Sequence, residues 1–476
     1  MDAPHELGLA TIAYFVVLTL LGLWGLHRCW LVLRFRWNRA EAEPTPEGQL
    51  PFVTIQLPLY NERTVAARLI QSMGRFDYPR DRFEVQVLDD STDETSTIVD
   101  AEVARLRAQG FDVKAIRRDD RVGFKAGALD CGLARAHGDL ICVFDADFLP
   151  QPDFLRRLLP RFQDPQVGMV QARWGHLNRD VSPLTRAQAT LLDGHFVIEH
   201  KVRADEGLFF NFNGTAGIWR RQAIEDAGGW QHDTLTEDLD LSYRAQLAGW
   251  KFVFEHLVVA PAEVPFEISA FKSQQHRWAK GSVQVARKLA PQIARADVPT
   301  RVKLEAAAHL LGNMGYPLVF LLSLLLPLAV YEQAQVSPIW HLLPFALCTA
   351  SVVWFYDTSQ SAIGRAWRLR IPDVFAAMSL GIGMSISQTK AVFEGLLGKT
   401  GEFTRTPKRG NQGLAAYRAM VPGLVWLEAL MAIYFLVTLI RAVEAGLWGS
   451  LPFLALFFVS FTWVASLSAI ERVRRV

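Results

Sequence analysis

The chain has 476 residues, half of them hydrophobic and 21% charged, and its 50 Lys and Arg nearly balance 48 Asp and Glu for a net charge of +2. A mean hydropathy of +0.14 is too apolar for a soluble enzyme, while the charge content is too high for a pure membrane channel, so a soluble domain joined to a membrane domain is the simplest organisation. The balanced charge, with no long basic run, argues against a nucleic-acid partner. The four cysteines, Cys29, Cys131, Cys142 and Cys348, show no metal or redox spacing, and no disulfide is expected.

In chain order, the first element is a membrane anchor. Leu7 to Leu26 is charge-free for 20 residues, enough for a helix across roughly 30 Å of hydrocarbon. Acidic residues precede it (Asp2, Glu6), basic ones follow (Arg28, Arg34, Arg36, Arg39), and no small-residue cleavage site is present. It therefore reads as an uncleaved anchor with its N-terminus outside, which puts residues from about 40 to 300 in the cytoplasm, under the plasma membrane or a bacterial inner membrane.

The next part alternates between two periods. "FVTIQL" (52–57), "FEVQVL" (83–88), "DLICVF" (139–144) and "VGMVQA" (167–172) read as strands, with helices expected over Thr64–Arg75, Glu94–Gln109 and Lys125–Ala136. Such a βαβ series predicts an α/β fold with a mostly parallel sheet, whose ligands bind outside the carboxyl ends of the strands. Asp89 and Asp90 close one strand. Asp145 and Asp147 close another, and strand alternation predicts that both point to the same side of its rim. Two rim carboxylates suit a divalent cation such as Mg²⁺ or Mn²⁺ that also takes phosphate oxygens. There is no Walker sequence and no GxGxxG after the first strand, so phosphates must be neutralised by metal and cationic side chains.

A third acidic group, Thr236-Glu237-Asp238, opens an amphipathic stretch, and N-capping by Thr236 or Asp238 is its ordinary explanation. The stretch "SQQHRWAKGS" (273–282) follows, just before the apolar half of the chain. Further spans are expected at Leu310–Tyr331, Ile339–Tyr356, Val421–Ile440, which carries Glu428, and Gly446–Ile470. Val374 to Thr389 offers only 16 charge-free residues with basic residues on both sides, so it is expected to be interfacial or re-entrant, leaving five spans.

Two acids, an Asp-x-Asp, a Thr-Glu-Asp and a Gln-x-x-Arg-Trp in that order resemble the membrane-embedded processive family-2 glycosyltransferases, the group of cellulose, chitin and hyaluronan synthases. The likeness runs from about residue 50 to 410 and is greatest to the cellulose-synthase-like mannan and glucan synthases. It is carried by "QLPLYNE" (56–62), "VLDDSTD" (87–93), "GFKAGAL" (123–129), "FDADF" (144–148), "FNGTAGIW" (212–219), "TEDLDL" (236–241) and "QQHRW" (274–278). The resemblance implies an A-type glycosyltransferase domain fused to a multi-helix transmembrane domain. It implies that Asp89, Asp90, Lys125, Asp145, Gln274 and Arg277 contact a UDP- or GDP-sugar, with a metal on Asp145 and Asp147. It further implies Asp238 as general base and Trp278, Phe212, Asn213 and Glu237 on the acceptor side. His276 reads as structural rather than catalytic.

"FTRTPK" (403–408) resembles the gating loop of bacterial cellulose synthase through Phe403, Thr406 and Lys408, departing from it at Arg405. Only six residues follow Ile470, so no appended regulatory domain is expected. The expected domains are an anchor (1–39), a glycosyltransferase domain (40–270), interfacial helices (271–303), two spans (304–360), the interfacial segment with the gating loop (361–420) and two spans (421–476).

The expected activity is inverting, processive transfer from UDP-glucose or GDP-mannose to a β-linked glycan that is moved across the membrane, in contact with lipid and with any export partner unspecified. The alternative is a lipid glycosyltransferase of the ceramide glucosyltransferase kind, adding one or a few sugars. A non-catalytic sugar-binding or assembly protein would be expected to lack the base or metal acids, which this chain retains.

Overall fold

The computed structural model describes residues 8–37, 50–332, 339–398 and 424–473. Seven strands form one sheet: β1 (Val53–Leu59), β2 (Phe83–Asp89), β3 (Val113–Ile116), β4 (Leu140–Val143), β5 (Val167–His176), β6 (Gly217–Arg220) and β7 (Lys251–Ala262), in the order β3-β2-β1-β4-β6-β5-β7. Only β6 runs antiparallel to its neighbours, β4 and β5. The sheet is thus mixed and mostly parallel, as expected. The expected helices are found slightly shortened, at Ala66–Met73, Thr95–Ala108 and Phe124–Leu133.

Alternation in β1 shows why the sheet is buried on both faces. Val53, Ile55 and Leu57 enter one apolar core with Phe83 and Phe144. Thr54 and Gln56 face the other way and pair with their register partners: Thr54 Oγ1 donates to Glu84 at 2.8 Å and Gln56 Nε2 to Gln86 at 3.1 Å. Interior polar groups remain there because they are hydrogen-bonded. Parallel β2 and β4 flank β1 on opposite sides, so the chain reverses its winding at β1 and opens a crevice at the carboxyl ends of these strands.

Among the described residues, four helices are long and apolar enough to cross a membrane: Leu9–Phe35, Gly312–Val330, Val425–Glu444 and Trp448–Val473. Val425–Glu444 is amphipathic in the inverted sense of a lipid-facing helix. Trp426, Leu430, Ile433, Val437 and Ile440 are exposed along one face, while Glu428, Met431, Phe435 and Thr438 are buried on the other. The protein is therefore a membrane protein by composition and length of its helices. The span expected at Ile339–Tyr356 falls within the Ile339–Ala362 helix, whose last turns turn polar and place Gln360 against Asp193 of the soluble domain.

The Val374–Thr389 segment is a broken helix. Trp367–Gly383 and Ser385–Leu396 meet at a 52° bend, a geometry open to a broken span or a re-entrant loop. Gly383 lies against the last helix so closely that a Cβ would meet Val464 Cγ2 at 2.4 Å and the Ser460 carbonyl at 2.7 Å.

Candidate active site

The crevice at the strand ends holds a cavity of about 180 Å³, lined by Asp90, Lys125, Asp145, Asp147, Glu237, Asp238, Gln274, Arg277 and Trp278 among others. Residues from five separate stretches of sequence are thus brought to one place.

Its first side is the acidic end of β2. Asp90 is gripped by Arg118 through Nε at 3.0 Å and through Nη2, and Arg118 also holds the Phe124 carbonyl at 3.0 Å. Asp89 turns out differently from expectation. Its side chain is fully buried, accepting from Arg117 Nε at 3.0 Å and from the Ser91 N–H at 3.0 Å, and it does not line the cavity. Its bonds to Arg117 and to the Ser91 N–H fix the turn at the strand end. Arg121 does line the cavity, with its guanidinium 3.2 Å from the centre of the Tyr60 ring.

Asp145 and Asp147 line the cavity, but not for the reason of strand alternation: β4 ends at Val143, and both acids stand on the loop beyond it. Lys125 Nζ reaches Asp145 Oδ1 at 2.5 Å and the Gly214 carbonyl at 2.8 Å. Burial disfavours the Lys125 ammonium, yet Asp145 and Glu237 outweigh it and hold its pKa above the ordinary lysine value. Asp147 accepts from the Glu263 N–H at 3.2 Å.

The donor set fits a hard divalent ion. Mg²⁺ and Mn²⁺ are satisfied by one or two carboxylates, completed by water and phosphate oxygens. Glu84, Asp112 and His137 also cluster, but at the opposite ends of the strands, where Lys114 already bonds both carboxylates at 3.1 and 3.4 Å.

Asp238 stands in the first turn of the Glu237–Leu247 helix and accepts from the Leu239 N–H at 2.8 Å. The helix is not capped as expected: Thr236 makes no side-chain cap bond, and its side chain packs against Gly281, where a Cβ would come within 2.5 Å of Thr236 Cγ2. Gly214 has φ +80°, and a Cβ there would lie 2.8 Å from Asp238 Oδ2, so glycine is required for this carboxylate to approach the loop. Burial, followed by the nearby Glu237 charge, pushes the Asp238 carboxyl up to about 7, partly opposed by Lys125. A carboxylate poised near neutrality suits a general base.

The Ile268–Arg295 helix, called the motif helix below, supplies Gln274, Arg277 and Trp278 from one face. Burial draws the Arg277 pKa down, against the pull of Glu237, Asp145 and Asp238. Trp278 lies 6.5 Å from Trp174, which sequence reasoning missed, and Trp174 packs on Phe148 and Phe196 at 5.2 and 5.0 Å. Asn213 faces the cavity, its Nδ2 3.2 Å from His195. Phe212 does not. It is completely buried against Trp219, because the antiparallel β6 that follows draws it into the core. Phe403, Thr406 and Lys408 lie outside the described residues.

A second cavity of about 520 Å³ continues among the helices and shares Trp174, Leu192, Asn213, Thr236, Asp238 and Trp278 with the first. Next to Trp278 its wall is polar. His195 bonds Glu199 at 3.0 Å, and Arg203 bridges Glu199 at 3.3 Å to Glu305 at 2.9 Å. Farther on, Val319, Leu322, Phe345, Met378 and Phe457 line it. The His195-Glu199-Arg203 spacing of four residues was a readable sign of one helical face, though nothing in the sequence linked it to the acidic motifs.

Over 384 residues the chain is 36% identical to glucomannan 4-beta-mannosyltransferase 2 of Arabidopsis thaliana, covering 78% of this chain and 70% of that protein. The chain belongs to glycosyltransferase family 2. Residues 51–281 of this glycosyltransferase match the family described as "Glycosyltransferase like family 2". A probable glucomannan 4-beta-mannosyltransferase 9 of Oryza sativa subsp. japonica is 35% identical over 426 residues, 86% of this chain and 77% of that one. Among solved structures, a mannosyltransferase from Pyrobaculum calidifontis, determined with GDP-mannose and Mn²⁺, superposes with a TM-score of 0.57 at 22% identity over 82% of this chain and 100% of its own. That likeness is one of fold.

Proposed function

We propose that this family-2 glycosyltransferase is a membrane β-mannan or glucomannan synthase that uses GDP-mannose and passes its product into the larger cavity. The observation that carries this reading is that the two cavities adjoin at Asp238 and Trp278, which line both. The names of the relatives, glucomannan 4-beta-mannosyltransferases, support mannose as the transferred sugar and the linkage class.

On this reading the nucleoside diphosphate occupies the crevice between Asp90 and Arg277, and the acceptor sugar rests its apolar face on Trp278. Asp238 takes the proton of the acceptor hydroxyl as that oxygen attacks the anomeric carbon of the donor. The bond from this carbon to the phosphate oxygen breaks on the opposite side, so configuration inverts with a single base. Negative charge gathering on the departing diphosphate meets Arg277 and Lys125. Asp145 and Asp147 would hold Mg²⁺ or Mn²⁺, which when bound neutralises diphosphate charge. The new chain end then moves past Trp278. There the amide side chains of Gln188, Asn211 and Asn213 border the larger cavity and would offer hydrogen bonds to sugar hydroxyls.

The test is to give the purified protein, in lipid nanodiscs with Mg²⁺ or Mn²⁺, labelled GDP-mannose, UDP-glucose and UDP-N-acetylglucosamine separately, and to size the products. A long polymer from GDP-mannose is expected. A small organic-extractable product formed only with added lipid would replace this reading by a lipid glycosyltransferase.

A further inference from the structure

The motif helix has two polar faces. Gln274, Arg277 and Trp278 point into the catalytic cavity. Lys272, His276 and Lys280, spaced four residues apart, form a stripe on the opposite side. Each member of the stripe meets an acid from the membrane half of the chain.

Lys272 Nζ lies 2.5 Å from Glu428 Oε1 and 2.8 Å from Ser468 Oγ, and Ser468 bonds the second Glu428 oxygen at 3.2 Å. Lys272 and Glu428 are both buried, the latter completely. One turn on, His276 Nε2 is 3.2 Å from Glu394, and Lys280 Nζ is 3.3 Å from the same carboxylate. Glu471 closes the first turn of the helix by accepting from the N–H groups of Ile268 and Ser269 at 2.5 and 3.1 Å. An ionisable residue such as Glu428 in an apolar helix is costly and calls for a role. Stability alone is a weak explanation, because well-packed apolar residues replace buried ion pairs at little or no loss, whereas fixing register is their best-attested use.

We propose that Lys272 with Glu428, and His276 and Lys280 with Glu394, are positioning residues for glycosyl transfer. They pin the rotation and height of the motif helix against Ser385–Leu396, Val425–Glu444 and Leu451–Val473, and so set where Arg277 and Trp278 stand. This rests on the roles given to those two residues above.

A loss of positioning has a signature that a loss of folded enzyme lacks. Displacing an acceptor by about 1 Å can cost about 100-fold in its reaction while water, which needs no positioning on Trp278, still reaches the donor. The experiment measures donor consumed by hydrolysis against donor transferred, for wild type, Glu394→Gln and the paired Lys272→Met/Glu428→Leu. The paired variant keeps volume and leaves no charge buried alone, and Glu394 is partly exposed, so thermal shifts with added GDP can confirm that both fold. The expected result is a rise of about tenfold in the hydrolysis-to-transfer ratio for both variants. A ratio within about twofold of wild type in either folded variant overturns the proposal. The ratio is read on whichever acceptor the wild type uses. A wild type that glycosylates only lipid therefore refutes the polymer reading and leaves this test intact.

Discussion

The two cavities share a wall and little else. The smaller is crowded with ions held by counter-ions: Asp90 by Arg118, Asp145 by Lys125, and Arg277 among three acids. The larger gathers its charges near the shared wall and is apolar beyond Val319 and Leu322. A site that makes and breaks bonds needs fixed charge where charge develops. On the proposed reading the larger cavity is a passage, which needs contacts weak enough to release what it holds, and its mostly apolar lining suits that.

The largest effect expected from breaking this division is on the chemical step. Asp238→Asn should lower kcat by about 10²- to 10⁴-fold with donor binding retained, checked by single-turnover transfer beside nucleotide titration. Transfer near normal with an intact nucleotide site would remove the base assignment. Trp278→Ala acts at the shared wall and should reduce transfer by about tenfold or more, beyond any loss of donor hydrolysis. Equal losses would deny it a role under the acceptor.

The pH profile is a milder probe. Because burial raises the Asp238 carboxyl to about 7 and the base must be ionised, kcat should fall as pH drops through that range, by about tenfold per unit well below it. Divalent metal should move the midpoint lower, since added positive charge favours the carboxylate. A profile flat from pH 5 to 8 in about 0.1 M salt would contradict it. The smallest effect on rate belongs to the passage. Gly381 borders the larger cavity with open space where its Cβ would be, so Gly381→Trp should shorten the product several-fold while slowing initial transfer less. Unchanged product length would place the polymer elsewhere.

Much of the catalytic half was legible in the sequence because its motifs sit at the ends of periodic strands and helices. Asp90, Lys125, Asp145, Asp147, Asp238, Arg277 and Trp278 all reach one cavity. The failures have local causes. Strand alternation predicts Asp145 and Asp147 on one side of a strand rim, yet β4 is four residues long and stops before them. Phe212 and Asn213 are adjacent, and only the unread strand β6 decides which of the two faces the cavity. Strands β3 and β7 were not anticipated either: the first is short, and the second pairs with β5, from which β6 and several helices separate it in the chain. The Lys272-His276-Lys280 stripe was visible as a spacing. Its meaning was not, because Glu394 and Glu428 are more than a hundred residues away.

The proposed mechanism has sugar added at Asp238 leave through the helix-lined cavity. It is tested most directly in sealed proteoliposomes supplied with labelled GDP-mannose from outside only, then treated with a β-mannanase before and after detergent. The account predicts labelled polymer that resists the enzyme until detergent opens the vesicle. Polymer fully digested in sealed vesicles would contradict it.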